Sequence, residues 1–183
     1  MLDATRKVPR SSVLPPSAHG GIVVAYPPAD RFALRMQGAN EETIAGFDLG
    51  GPINSVRGAV DRFAARLGPD EWLLVEREGG GQATQEALQE ELAGRHSSLV
   101  AVGHRNVAIA VSGPHASTVL SAGVPLDLSD RGFPEGMATR TILAKAEVVL
   151  VRPAASDHFR VECWRSFAPY VYAYLMNSAR EFG

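Results

Sequence analysis

The chain has 183 residues, a formal net charge of −2 and 45 % hydrophobic residues, enough for one sizeable core and too little positive charge for nucleic acid or an anionic membrane to be the main partner. Cys163 is the sole cysteine, which excludes an internal disulfide and a thiolate metal cluster and suits a reducing cytoplasm. No run approaches the roughly 20 apolar residues that span a bilayer, and the N-terminus lacks a signal peptide's apolar core, so a soluble, cytoplasmic protein is expected.

Residues 1–20 mix Arg6, Lys7 and Arg10 with Pro9, Pro15 and Pro16 and read as an extended arm or a loose tail. Ile22, Val23, Val24 and Tyr26 suit a short edge strand that Pro27 and Pro28 end. Arg31 to Gln37 is a period-two strand, Asn40 to Ala45 a short helix, and Gly46, Gly50, Gly51 and Pro52 a loop. From 53 to 67 the signal is divided, because Val56, Val60, Phe63 and Leu67 have helical spacing while a repeat described below requires strand. Glu71 to Arg77 is a buried strand, Gly79 to Gly81 a turn, and Ala83, Ala87, Leu88 and Leu92 the stripe of an exposed helix that Gly94 ends. Ser98 to Val102 is the next strand.

The densest signals lie between His104 and Arg152. Val107, Ile109 and Val111 alternate with Asn106, Ala108 and Ala110 as a half-buried strand. Pro114 suits the first position of a following helix, with Ser112 capping and Gly123 in a left-handed C-terminal cap. After a loop from Val124 to Arg140, Ile142 and the run Val148 to Val151 read as buried strand, and Phe159 to Cys163 as the last one. Ser166 is the expected N-cap of a well-buried final helix bearing Phe167, Tyr170, Val171, Tyr174 and Leu175.

Phe32, Leu34, Met36, Gly38 and Ile44 lie over Val107, Ile109, Val111, Gly113 and Val119 at one shift, and Asp70–Glu76 over Asp157–Cys163 at a longer one. The difference places about a dozen extra residues in the second copy, most simply between Val124 and Arg140. The expected fold class is therefore α+β with mainly antiparallel sheets, a single domain over 21–183 made of two strand–helix–strands–helix pseudo-repeats at about 28–95 and 103–181.

A search for chemistry returns little. His19, His96, His104, His115 and His158 are scattered without metal-ligand spacing, and no phosphate-binding glycine pattern or nucleophile elbow occurs. Cys163 in a strand reads as a small buried hydrophobe. Catalytic, cofactor and metal residues are accordingly assigned to none. Candidate interface residues are Phe133 and Met137, apolar groups in a loop with Gly132, Pro134 and Gly136, together with Arg140 and the Trp164-Arg165 pair at a strand-to-helix junction. The loop is expected to project and dock a partner, unless Phe133 and Met137 fold back onto the core.

The ordered set HRNVAIAVSGPHASTVLSAGVPLDLS, GMATRTILAKAEVVLVR and FRVECWRSFAPYVYAYL resembles the gamma subunit of heterotetrameric sarcosine oxidase. Its SGP piece also occurs in the related aminomethyltransferase and transfer-RNA-modifying GTPase N-terminal folds. The resemblance implies that fold and a non-catalytic accessory subunit of a flavoenzyme that oxidatively demethylates sarcosine to glycine, with tetrahydrofolate and oxygen. It also implies partners: large alpha and beta subunits holding FAD, FMN and NAD and a small delta subunit holding zinc, with tetrahydrofolate also bound among the partner subunits and no cofactor in this chain. The equivalent subunit of an N-methylglutamate-type dehydrogenase and a stand-alone folate-binding one-carbon transferase are the alternatives.

Overall fold

The computed structural model describes residues 23–38, 42–154 and 158–182; the predicted arm at 1–20 lies outside them. Twelve strands are described: β1 (Val23–Ala25), β2 (Ala29–Met36), β3 (Thr43–Ile44), β4 (Phe47–Asp48), β5 (Val56–Ala59), β6 (Arg62–Arg66), β7 (Glu71–Arg77), β8 (Ser97–Ala101), β9 (Asn106–Ser112), β10 (Met137–Leu143), β11 (Ala146–Arg152) and β12 (His158–Trp164). The α-helices are α1 (Gly81–Glu91), α2 (Ala116–Ser121) and α3 (Ala168–Ser178), the last running into a 3-10 turn at Ala179–Phe182.

Two five-stranded sheets dominate, one in the order β5-β6-β7-β2-β8 and the other β1-β9-β12-β11-β10, with every pairing antiparallel. The strand nearest the N-terminus crosses into the second sheet, Val23 opposite Val111 and Ala25 opposite Ile109. At the far edge the sheets are joined by a Ser55–Met137 bridge and by bonds from Val56 N–H to the Gly136 carbonyl and from Ala138 N–H to the Asn54 carbonyl, both 2.8 Å.

Alternation along the strands separates three apolar regions. Phe32, Leu34, Trp72 and Leu74 pack with Leu88 and Leu92 from the α1 end and with Ile44 and Phe47 of the β3–β4 hairpin. Ile109, Val111, Val148, Leu150, Val161 and Cys163 pack under α2 and α3. Between the sheets lie Ala29, Phe63, Ala65, Leu73, Val75, Ala138 and Val151. The molecule is thus layered, with α1 and the small hairpin outside one sheet and α2 and α3 outside the other. Each large apolar side chain so buried contributes about 1.5–3 kcal/mol from removal of its surface from water.

Several expectations need correction. The helix predicted at Asn40 to Ala45 is, from Thr43 on, a hairpin, because Ala45 and Gly46 both have positive φ (46° and 75°) and close the two-residue turn that antiparallel strands require. The divided segment 53–67 is also a hairpin, β5 to β6; Gly58 at φ 116° breaks the helical spacing, and the carbonyl of Arg62 leaves no room for a Cβ there. In α1 the buried positions are Thr84 and Leu88, and Ala83 is exposed. Helix α2 starts after Pro114, with His115 rather than Ser112 at its N-cap and no side-chain cap. Gly123 is not left-handed. A Cβ there would come within 2.7 Å of the Tyr174 ring, which explains glycine by contact rather than by backbone.

The loop after α2 does not project. Val124, Leu128 and Phe133 are buried in the core beneath the helices, Phe133 lies 6.2 Å from Phe159, ring centre to ring centre, and Arg152 clasps the loop by donating to the Phe133 carbonyl at 2.8 Å and to Asp130 at 2.6 Å. Helix α3 has Phe167 at its N-cap with no side-chain cap, so Ser166 does not serve. Only Ala168, Val171, Tyr172 and Leu175 of α3 are buried; Phe167 and Tyr170 face outward.

Candidate functional site at the strand–helix corner

Strand β12 carries two chemistries because its side chains alternate. Phe159, Val161 and Cys163 enter the core beneath the helices, while Arg160 and Glu162, each 1 % exposed, turn the other way. Glu162 receives Arg31 from β2 of the opposite sheet, Nε to Oε2 at 2.7 Å and Nη2 to Oε1 at 3.1 Å. Arg31 also donates to the Ala29 carbonyl at 2.9 Å. Arg160 Nε donates to Glu162 Oε1 at 2.8 Å. Its Nη2 is 2.7 Å from the same oxygen but out of line for a hydrogen bond, and it has no other partner among the described residues.

The Arg160 guanidinium lies between the Tyr26 ring, 4.3 Å from its centre, and the Phe63 ring at 5.3 Å. These contacts stabilise a cation whose hydration burial has removed. Tyr26 O–H in turn meets His158 Nε2 at 2.7 Å. Burial, the largest influence, pushes the Glu162 carboxyl up, but the charges and hydrogen bonds of Arg31 and Arg160 together bring it below its usual value. Glu162 is therefore an anion in the folded protein, and its two cations come from both sheets. The cluster fixes β12 against β2 in one register.

Above Glu162 a cleft of about 70 Å³ opens between the sheets, lined by Ala33, Leu73, Asn106, Arg105, Arg140 and Trp164 among others. It has room for a few waters and not for a flavin or a folate. At its mouth Arg140 of β10 bonds Glu71 of β7 at 2.6 Å, a second ion pair between the sheets. Trp164 is 43 % exposed, with the Arg105 guanidinium 5.3 Å from its ring centre and Phe167 6.4 Å away. Arg165 N–H donates to the Arg105 carbonyl at 2.7 Å, which holds the strand-to-helix corner against the loop before β9.

The structure thus brings Arg140, Trp164 and Arg165 of the expected interface set to one end of the molecule. Phe133 is not with them, because its ring completes the core, and Met137 is half-buried against that same core. Sequence reasoning put Phe167 and Tyr170 on the buried stripe of the final helix, where the structure exposes them, and missed Arg105 as the cationic neighbour of Trp164. The signal available was the charge content of the segment: Arg165 is the sole charged residue from 164 to 178.

A model of the "Sarcosine oxidase, gamma subunit family" matches residues 45–181. Sarcosine oxidase subunit gamma of Arthrobacter sp is 35 % identical over 101 residues, which cover 55 % of this chain and 49 % of that protein. The namesake from Corynebacterium sp. (strain P-1) is 29 % identical over 131 residues, 71 % of this chain and 63 % of that protein. The chain thus spans about half to just under two thirds of the curated relatives it matches. A chain of the heterotetrameric sarcosine oxidase from Corynebacterium sp. U-96, solved with pyrrole 2-carboxylate, is similar with a TM-score of 0.78 and 26 % identity over 87 % of this chain and 84 % of that one. The glycine cleavage system aminomethyltransferase T from Bartonella henselae shares the fold, with a TM-score of 0.67 at 16 % identity over 86 % of this chain and 46 % of that one.

Proposed function

Because the chain belongs to the sarcosine oxidase gamma subunit family, whose model it matches over residues 45–181, we propose that it is a non-catalytic accessory subunit of a multi-subunit sarcosine oxidase. The family match is the observation that carries the reading. In this proposal the complex demethylates sarcosine oxidatively to glycine in the cytoplasm, with oxygen and tetrahydrofolate. FAD, FMN and NAD are held by large alpha and beta subunits, zinc by a small delta subunit, and the folate among these partners. This chain contributes a rigid double sheet and a docking surface that includes Arg140, Trp164 and Arg165.

The same proposal includes an internal duplication. In support, β5-β6-β7-β2 and β10-β11-β12-β9 are ordered alike in their sheets, and Gly38 and Gly113 both take positive φ, 76° and 88°, after β2 and β9. The copies have diverged. The β3–β4 hairpin stands in the first where α2 follows β9 in the second, and Leu34 faces Trp72 while Ile109 faces Val161, two residues beyond the Phe159 that the sequence alignment implied.

The test is reconstitution. Expressed alone, the chain is expected to be colourless and without sarcosine turnover; expressed with the large subunits from the same genome, it should co-purify in fixed stoichiometry with a flavin-containing oxidase. Stoichiometric flavin retained by the isolated chain, or failure to join any such complex, overturns the reading. Parallel assays with sarcosine and N-methylglutamate separate the oxidase from the related dehydrogenase.

A further inference from the structure

A surface helix ordinarily turns charged residues to water, and a helix apolar all round is ordinarily covered. Helix α3 has no charged residue, and Arg165 is the sole charge in the whole stretch from 164 to 178. Yet Trp164, Phe167 and Tyr170 are 43 %, 40 % and 40 % exposed, with Trp164 and Phe167 adjacent and Tyr170 6.4 Å from Tyr174 on the next turn. The backbone and the neighbouring ring beneath them are tied down. Tyr174 O–H donates to the Ala122 carbonyl at 2.7 Å, and the turn into α3 is closed by Phe167 N–H to the Trp164 carbonyl at 2.9 Å. Aromatic groups have only two side-chain torsions to lose on being covered, which favours their use as anchors.

The charges beside this face decide what covers it. Arg105 is exposed, lies over the Trp164 ring and donates to no carboxylate among the described contacts. A symmetric pairing of two copies through this face would set each patch against itself, bringing the Arg105 guanidinium groups of both copies toward each other's Trp164 with no acid from 164 to 178 to meet them. Resting on the accessory-subunit reading, we propose that the Trp164, Phe167 and Tyr170 face docks an apolar surface of a large partner subunit that presents a carboxylate to Arg105. The aromatic rings supply the dry centre of this contact and Arg105 its charged rim.

Binding of the purified full chain to the large-subunit complex lacking it, with melting of each variant as control, tests this. Tyr170→Glu and Phe167→Ser should each weaken binding roughly 30-fold or more. Arg105→Glu should weaken it and flatten its dependence on salt. Gln82→Ala on the exposed face of α1 should change nothing. Wild-type affinity in variants that melt normally overturns the docking face while leaving the accessory-subunit reading intact, whereas a wild-type chain that does not bind overturns both. Self-association abolished by Tyr170→Glu would give the face to a second copy, and early melting of both aromatic variants would give it to this chain's own core; either result overturns the proposal.

Discussion

Two guanidinium groups and one carboxylate share the space between the sheets, and removing the carboxylate is far worse than never having built the cluster. Glu162→Gln leaves Arg31 and Arg160 buried without a counter-charge, and a buried pair broken in this way costs about 3–5 kcal/mol; urea unfolding at pH 7 measures it. The acid dependence follows from the same contacts. A carboxyl lowered by folding stabilises the protein above its unfolded value near 4.3 and loses that contribution as pH falls through the folded value. Wild-type stability should therefore decline at acid pH, and the decline should be shallower in Glu162→Gln, retaining only what other carboxylates such as Glu71 contribute. Glu71 is lowered chiefly by its hydrogen bond with Arg140. An unchanged acid slope in the variant would show that Glu162 is not the group involved. Next to it, burial pushes the Cys163 thiol up to about 12, so the native protein should resist iodoacetamide at pH 8 and label at one site only after unfolding.

At the scale of elements, the β5–β6 hairpin depends on one backbone conformation. Gly58 has φ 116°, and a Cβ there would meet the Arg62 carbonyl oxygen at 2.5 Å and Phe63 Cα at 2.9 Å, backbone atoms that have no easy way to move. Gly58→Ala should lower stability by more than about 1 kcal/mol, read as an earlier thermal transition. This glycine also explains a limit of the sequence reading. Strands β2, β9 and β12 were legible because their larger apolar residues recur at period two over seven or eight residues, and β7 because Trp72 to Val75 form a continuous run buried on both faces. The hairpins at 43–48 and 56–66 were not, since their strands are too short for phase to build up, the first turns on left-handed Ala45 and Gly46, and Gly58 interrupts the second within β5. Arg31 and Glu162 are 131 residues apart, and no local pattern joins them. Beyond the Trp164-Arg165 pair, the single-charge stretch to residue 178 was visible throughout but passed for a buried helix, because exposure of one face of α3 is a tertiary property.

Across the molecule the two sheets have little independent existence. β1 precedes the first sheet in sequence and belongs to the second, the Ser55–Met137 bridge joins the opposite edge, and Phe63, Val75 and Val151 share one apolar region between the sheets. Unfolding one sheet would expose that region and strand Glu162 or Arg31, so the halves should unfold together. The two tryptophans allow a test, because Trp72 is buried outside the first sheet and Trp164 lies exposed at the end of the second. In Trp164→Phe, fluorescence reports Trp72 alone, while circular dichroism reports both sheets. The two urea transitions are expected to coincide, and in Trp164→Phe combined with Glu162→Gln they should move to lower urea by the same amount. The Glu162 substitution lies in the second sheet and the fluorescent reporter in the first, so an equal shift measures coupling across the interface directly. A Trp72 transition that stays in place while the circular dichroism curve splits would mean that the sheets fold separately, and that the ion cluster between them aligns two stable halves instead of joining them into one.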